Sequence, residues 1–599
     1  MKLKTGVAFP DFISTEKIRG GEHHYKKRYQ MRGFFIPAIL FLAIIGILLR
    51  LFYIQILQGS YFRKLSDLNR MKTITIHAPR GVILDRNGKP LVYNTPGFRE
   101  TINGKTQIID RNQALFFIAQ GKKDLEVDSL RYYPHKEIFS HVLGYIGQIS
   151  EDDLKEARFA DYKGGDLIGK MGLEQEYERI LKGIDGKQLV EVDSLGKTVR
   201  KLGQTDPTAG SNITVALDLN LQKAVFEATK DVKKGAVIVS TPNGEILAML
   251  SKPSFDPNLF TQGQNYRASS GSYTNIEEVL SDNKNQPLLN RAISGVYPPG
   301  STFKLVVAAS ALKNKIIDEN FEIEDTGSIR VGIFSFSNWY FTQYGKKDGA
   351  VNIVKGIKRS NDIFFYKLAE KIGVDKISQT ANEFGLGQKL SIDLQGEAKG
   401  LVPTTDWKEK ITGEPWFLGD TYNYGIGQGY LLTTPLQVNY WTQIIANGGN
   451  GYKPHLRKIQ SAKSADQISN LFTEESVSLI RQGMIESCSP GGVAWPLFKL
   501  KIPAKGWSAS GGKNVIDGKN FIEENSSGSA KMVEVTIACK TGTAQHGGEN
   551  TMPHAWITLF APAYDPQIVV TVLSEESGEG SNVAAPIAKK ILEEYFKNR

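Results

Sequence analysis

The chain has 599 residues, 73 basic against 63 acidic side chains, a formal net charge of +10, and 41% apolar with 23% charged residues. That length supplies several domains, and the composition is globular, which excludes a disordered or fibrous chain. The basic excess is spread along the sequence without a basic run interleaved with aromatics, so nucleic-acid binding is not expected. Two cysteines make no disulfide scaffold, and eight scattered histidines make no metal-ligand cluster, so no metal or cofactor is expected.

Residues 1–32 form a basic tail in which Lys2, Lys4, Lys17, Arg19, Lys26, Lys27, Arg28 and Arg32 outweigh Asp11, Glu16 and Glu22. Phe34 to Leu49 carries no charge, and apolar character resumes from Leu51 to Leu57 after Arg50. A bilayer-crossing helix needs roughly 20 such residues, so 33–57 is expected to be a single transmembrane helix. No small-residue cleavage site follows it, which favours an uncleaved anchor over a signal peptide. The positive-inside rule then puts the N-terminus in the cytoplasm and the rest of the chain outside the plasma membrane.

Residues 58–205 alternate short strands and helices, with Asp85-Arg-Asn-Gly88 as a turn, and Asp206-Pro-Thr-Ala-Gly-Ser211 reads as a boundary loop. Ile213 to Asp231 predicts a strand and a helix, and Gly235 to Leu250 a hairpin about Pro242-Asn-Gly244. Near the C-terminus, Ala555 to Pro562 and Gln567 to Leu573 predict strands, and Ala584 to Phe596 a helix. Strands at both ends of 206–599 with helices between them predict an α+β domain, one antiparallel sheet flanked by helices. The Gly/Ser/Lys-rich stretch 497–532 is expected to be a flexible surface insertion.

Chemistry enters at Tyr297-Pro-Pro-Gly-Ser-Thr-Phe-Lys304. Pro298 and Pro299 bar a helix and Gly300 permits a sharp turn, after which Phe303, Leu305, Val306, Val307, Ala308 and Leu312 read as a buried helix. Positions i and i+3 share a helix face, so the Lys304 amine can reach the Ser301 hydroxyl. A desolvated lysine beside another cation loses its proton near neutral pH and can act as a base. Spacing alone does not single this serine out, because Ser-x-x-Lys also occurs at Ser14/Lys17, Ser194/Lys197, Ser281/Lys284 and Ser510/Lys513. Those lack the preceding Pro-Gly and the apolar helix.

Two further elements support Ser301. Lys540-Thr-Gly-Thr543 follows Val533, Val535, Ile537 and Cys539, an alternating run that predicts a strand half buried on one face. There Lys540, Thr541 and Thr543 suit a carboxylate, and Gly542 allows close approach of a substrate backbone. Lys4-Thr5-Gly6 repeats the tripeptide without a strand around it. Between the two lies Ser360-Asn361-Asp362, anchored by the apolar run Ile363-Phe364-Phe365-Tyr366. Cys539 points away from Lys540 and is read as packing; it could pair with Cys488 outside the cell, although the spacing does not require a bond.

Ser-x-x-Lys, then Ser-x-Asn or Ser-x-Asp, then Lys-Thr-Gly resembles the active-site set of penicillin-binding proteins and serine β-lactamases. Arg80-Gly-Val-Ile-Leu-Asp-Arg-Asn-Gly88, Tyr132-Tyr-Pro134, His141-Val-Leu-Gly-Tyr-Ile-Gly147 and Gly169-Lys-Met-Gly-Leu-Glu174 resemble the pedestal domain of class B penicillin-binding proteins. Ser254-Phe-Asp-Pro-Asn258, Gly425-Ile-Gly-Gln-Gly429 and Leu432-Thr-Thr-Pro-Leu-Gln437 are similar to their transpeptidase domain. The resemblance covers roughly 33–599 and leans to the cell-elongation branch. It implies a transmembrane helix, an elongated α+β pedestal over 58–205, and a β-lactamase-like transpeptidase domain over 206–599. It implies D,D-transpeptidation of peptidoglycan stem peptides, with β-lactams as blocking substrates. Ser301, Lys304, Ser360, Asp362 and Lys540 would be catalytic; Asn361, Thr541, Gly542 and Thr543 would bind substrate. A RodA-like glycan polymerase, and MreC on the pedestal, are the partners it implies.

There are three departures from the family pattern. The middle motif ends in Asp362 rather than Asn, Val82 to Tyr132 is short so the pedestal head is expected to be reduced, and 497–532 is inserted. The rival readings are a septal transpeptidase of the same class, a hydrolase, or a β-lactam sensor. A hydrolase needs a base that activates water for deacylation, and none is identified. A sensor needs a cytoplasmic signalling domain, which a tail of this length does not supply.

Overall fold

The computed structural model describes residues 32–102, 105–109, 111–121, 125–193, 197–263, 265–458, 467–468, 471–503, 521–523, 532–548 and 551–597. The expected cytoplasmic tail, apart from Arg32, lies outside the described residues. The chain divides into two compact units, residues 1–75 with 187–205, and residues 76–186 with 206–599. The division cuts the pedestal expected over 58–205, because 76–186 belongs with the C-terminal unit.

In the first unit the helix Arg32–Phe52 runs into a π-helical turn at Tyr53–Leu57. The stretch Phe35–Leu57 has a mean hydropathy of 2.6 and none of it is buried in protein. It is the one helix among the described residues long and apolar enough to cross a membrane. A second helix, Gly59–Arg70, leads into a three-stranded sheet of Met71–Ile76, Gly186–Val192 and Thr198–Thr205.

The larger unit is built on a five-stranded antiparallel sheet. Its strands are β1 (Gly235–Ser240), β2 (Ile246–Lys252), β3 (Ala538–Ala544), β4 (His554–Ala561) and β5 (Ile568–Ser574), in the order β2-β1-β5-β4-β3. The β1–β2 hairpin turns at Gly244, whose φ of +88° only glycine adopts without strain. Both faces of the sheet are covered, so the strands read as near-continuous apolar runs. On one face Trp556, Phe560, Val569 and Leu573 pack with the helices Lys304–Lys313, Ile353–Arg359, Asp362–Ile372, Pro435–Ala446 and Glu474–Ser487. On the other, Ile557, Leu559, Val570 and Val572 pack with the helix Ala584–Lys597.

Two strand expectations change. Val533, Val535, Ile537 and Cys539 do share one core, but the run is not one strand. Met532–Val535 joins a separate small sheet, between Lys501–Pro503 and Phe521–Glu523, and β3 starts only at Ala538. Nor is β3 half exposed, since Ala538, Lys540 and Ala544 on its other face are buried too. The insertion is therefore not wholly loop: residues 501–503 and 521–523 are strands, and 504–520 and 524–531 lie outside the described residues. Cys488 and Cys539 form a disulfide, so Cys539 is a covalent tie rather than packing alone.

Arg80 and Glu174, from the first and last of the pedestal motifs, meet in a buried ionic knot with Arg131 and Glu178. The Arg80 guanidinium lies 2.9 Å from Glu174 and 2.8 Å from Glu178, and Arg131 lies 2.6 Å from Glu174. Buried charges persist when paired and hydrogen-bonded, as these are. Gly172 at φ +64° sits where a Cβ would meet the Val142 carbonyl oxygen at 2.5 Å.

Candidate active site

The residues of the site arrive from three elements around a cleft of about 890 Å³. Gly300–Thr302 is a single 3-10 turn that runs straight into the helix α1 (Lys304–Lys313), which starts without a side-chain cap. Gly300 has φ +55°, and a Cβ there would stand 3.0 Å from the Thr543 carbonyl oxygen. The serine turn and the edge strand β3 are thus pressed together. Gly427 supports the turn from beneath, accepting the Gly300 N–H at 2.9 Å. Ser301, Ser360, Asp362, Thr541, Gly542 and Thr543 all line the cleft.

Under the cleft floor Lys304 and Lys540 are both fully buried. Lys304 Nζ donates to Asp362 Oδ1 at 2.6 Å, to the Ser360 carbonyl at 2.8 Å and to Ser360 Oγ at 3.4 Å. Lys540 Nζ donates to Ser360 Oγ at 2.8 Å and to the Thr541 carbonyl at 3.0 Å. Ser360, at φ +54°, is therefore the hydroxyl bridge between two amines. The geometry departs from expectation in one respect: the Lys304 amine is turned to Asp362 and Ser360, and it makes no hydrogen bond to Ser301 among the described residues. A resting site this loose is common, since catalytic hydrogen bonds often tighten only when substrate is bound.

Burial lowers the proton affinity of both amines. Burial pulls Lys304 below the ordinary lysine value, and the adjacent Asp362 charge pulls it back up. Burial, and then the charge of Lys304, hold Lys540 well below that value, opposed by Asp362. Two amines and one carboxylate share this corner, so their proton affinities are coupled.

Asn361 needs correction as a substrate-binding residue. It is fully buried and does not line the cleft. Its Oδ1 caps the helix α2 (Asp362–Ile372) by accepting the Phe364 N–H at 2.9 Å, and its Nδ2 donates to Asp325 and Asp348 at 3.0 Å each. Both polar atoms of its side chain are engaged in holding the loop. Sequence reading missed Trp339, whose backbone N–H donates to Asp362 Oδ2 at 3.0 Å. It also missed Trp495 and Glu579, which line the cleft. None of these three sits in a recognisable pattern; Gln428, also in the lining, falls within the Gly425–Gly429 motif.

Comparison with known proteins agrees with this geometry. The description "Penicillin binding protein transpeptidase domain" matches residues 234–593, and "Penicillin-binding Protein dimerisation domain" matches 120–215. The chain belongs to the penicillin-binding protein transpeptidase family. It is 32% identical to the peptidoglycan D,D-transpeptidase MrdA of Acinetobacter baumannii, over 96% of this chain and 88% of that one. With MrdA of Escherichia coli K12 the identity is 31%, over 92% of each. Among solved structures, a complex of penicillin-binding protein 2 with MreC from Helicobacter pylori aligns with a TM-score of 0.70 and 29% identity. That alignment covers 88% of this chain and 99% of the other. The Pseudomonas aeruginosa penicillin-binding protein 2 complex with WCK 5153 aligns with a TM-score of 0.65 and 31% identity, over 88% and 96%.

Proposed function

We propose that the chain is an elongation-type peptidoglycan D,D-transpeptidase in which Ser301 carries the acyl group. The observation that supports it most directly is the convergence of Lys304, Ser360 and Lys540 beneath Ser301, with Asp362 as their only carboxylate among the described contacts. Ser301 Oγ attacks the penultimate carbonyl of a stem ending in D-Ala-D-Ala, and its proton passes to neutral Lys304. The oxyanion lies between the backbone N–H groups of Ser301 and Thr543; one such donor is typically worth ~100- to 1000-fold in rate. Thr541 and Thr543 face the terminal carboxylate from the cleft lining, while Lys540, expected beside them, is buried and acts through the Ser360 hydroxyl. The peptide C–N bond breaks as the amine of the departing D-alanine takes the proton. An amine of a second stem then attacks the ester, its proton returns through the lysine–serine relay, and Ser301 is released. A β-lactam opens on Ser301 in the same first step and stays.

The partners follow from the relatives. A polymerase that makes glycan strands would meet the N-terminal helix, and MreC would meet the pedestal; the Helicobacter pylori relative forms a complex with its own MreC. The helix 33–57 would anchor the chain with its basic tail in the cytoplasm and the cleft outside. A dimerisation-type domain with a shortened head over 58–205 and a transpeptidase domain over 206–599 remain our division of function along the chain.

Labelling with a fluorescent penicillin tests the assignment. Wild type should form a covalent adduct that persists for hours, and Ser301→Ala should form none while melting at the wild-type temperature. An adduct on Ser301→Ala sinks the nucleophile, and a wild-type adduct that decays within minutes points to a hydrolase.

A further inference from the structure

Below the Ser360-Asn361-Asp362 loop lies a second polar cluster that the reaction itself does not use. Its centre is Asp325, 1% exposed, at the end of the strand Glu322–Asp325. Its Oδ1 accepts the Gly327 N–H at 2.8 Å. Its Oδ2 accepts Asn338 Nδ2 at 2.9 Å, the Asp348 N–H at 2.9 Å and Asn361 Nδ2 at 3.0 Å. Neutral N–H donors alone hold this carboxylate; it takes no salt bridge among the described residues. The neighbouring charges are Asp348 and Arg359, which bond each other at 3.1 Å.

Both side-chain amides pass its orientation on to Asp362. Asn338 Oδ1 accepts the Asp362 backbone N–H at 3.2 Å. The next residue, Trp339, donates its backbone N–H to Asp362 Oδ2 at 3.0 Å, and the other oxygen, Oδ1, meets Lys304 at 2.6 Å. Asn361, held by Asp325 and Asp348, is the residue between Ser360 and Asp362. A continuous run of hydrogen bonds therefore leads from Asp325 through Asn338 to Asp362 and on to the amine of Lys304. An Asn338 amide can serve both neighbours only in one orientation, because Asp325 fixes which end is the donor.

We propose that Asp325 is a positioning residue for acylation, which acts through Asn338 and Asn361 to hold Asp362 against Lys304. The inference rests on Lys304 being the base of the Ser301 reaction. Asp325→Asn is nearly isosteric but leaves a donor-to-donor clash in either amide orientation. With NH2 at the Oδ2 site it opposes Asn338 and Asn361, and at the Oδ1 site it opposes the Gly327 N–H. If Asn338 rotates to relieve the first clash, its own NH2 confronts the Asp362 N–H. The first arrangement breaks the relay to Asp362 directly, and the second displaces Gly327, whose carbonyl accepts the Asn338 N–H at 2.9 Å.

The full-length protein in detergent is compared as wild type, Asp325→Asn, Asp362→Asn and the double variant, with benzylpenicillin acylation followed against pH and normalised to the folded fraction. A misplacement of about 1 Å typically costs on the order of 100-fold, so Asp325→Asn should acylate roughly 10- to 100-fold more slowly. The charged groups facing Lys304 are Asp362 from α2 and Lys540 from β3, and the Tyr366 hydroxyl lies in the field of Asp362. Losing the Asp362 contact leaves burial unopposed at Lys304, so the acid limb should move to lower pH. In the Asp362→Asn background the same change should have little further effect. A wild-type rate and limb for Asp325→Asn, or an equal loss in both backgrounds, overturns the proposal. If Asp325→Asn does not fold, Asn338→Ala is measured the same way; failure of both to fold makes the cluster a stability element and also overturns it. Unlabelled wild type would instead sink the acylation reading on which the proposal rests.

Discussion

Lys540 illustrates how much of the active site works against the fold. Its amine is sealed from water and placed near a second amine, which holds its protonation well below the ordinary lysine range. A lysine whose folded-state pKa is depressed binds fewer protons folded than unfolded between that pKa and about 10.4, the unperturbed value. Stability contributed at this position therefore rises as pH climbs through that window, and the penalty is fully present below it. Lys540→Met keeps the length of the chain and removes the buried charge. We expect it to melt no lower than wild type at neutral pH, with a flatter dependence of Tm on alkaline pH. Acylation should fall by roughly 100- to 10,000-fold, the usual scale of a lost proton-transfer group. A lower Tm with an unchanged alkaline profile would mean that the Lys540 hydrogen bonds outweigh its desolvation. At this scale the sequence was informative for side chains that carry chemistry in a fixed spacing, such as Ser301, Lys304 and Lys540. It was silent on Asp325 and Asn338, whose importance lies in contacts over sequence separations of 13 to 36 residues.

Among the elements, β3 depends most on its surroundings. It is an edge strand of the large sheet, yet it must present Lys540 and Thr543 at fixed positions beside the serine turn. The helix Glu474–Ser487 packs behind it, and Cys488 at the end of that helix is bonded to Cys539 in the strand. After Cys488 the chain forms the cleft wall that includes Gly492, Val493 and Trp495, and the Val493 carbonyl accepts Ser581 Oγ at 2.8 Å. The bond thus ties a wall of the cleft to the strand that carries Lys540. It closes a loop with a sequence separation of 51, for which chain entropy predicts about 4 kcal/mol of stabilisation. Cys488→Ser should lower the unfolding free energy by that order in denaturant titrations, and a mild reductant should shift wild type, but not the variant, in the same direction. Equal stability of the two proteins under oxidising conditions would remove the bond from any structural role. The sequence read the sheet's strands and the C-terminal helix correctly because period and turn residues specify them locally. It read Val533 to Cys539 as one strand because the alternation continues across the break at Thr536 and Ile537. That alternation records a shared buried face rather than continuous strand pairing, and the partners that divide it lie in the insertion.

For the whole molecule, the described residues that build the cleft all belong to the unit comprising 76–186 and 206–599. The helix at the N-terminus is made of different material. Phe35, Ile39, Phe41, Leu42, Leu49 and Ile56 are each more than half exposed. Burying one such side chain is worth about 1.5–3 kcal/mol, so a row of them favours a bilayer over water by an amount comparable to a domain's net stability, typically ~5–15 kcal/mol. A chain with that surface in water aggregates, and the aggregation is unrelated to the chemistry of Ser301. Removal of residues 1–57 should therefore give a protein that purifies without detergent and acylates with penicillin as fast as the full-length chain does in detergent. Full-length protein should sediment with membranes and require detergent for release. Loss of acylation in the shortened chain, with its fold retained, would show that the helix supports the cleft as well as anchoring it. The comparison separates two demands on one sequence: a helix selected for lipid contact, and a buried pair of amines selected to hold a proton loosely.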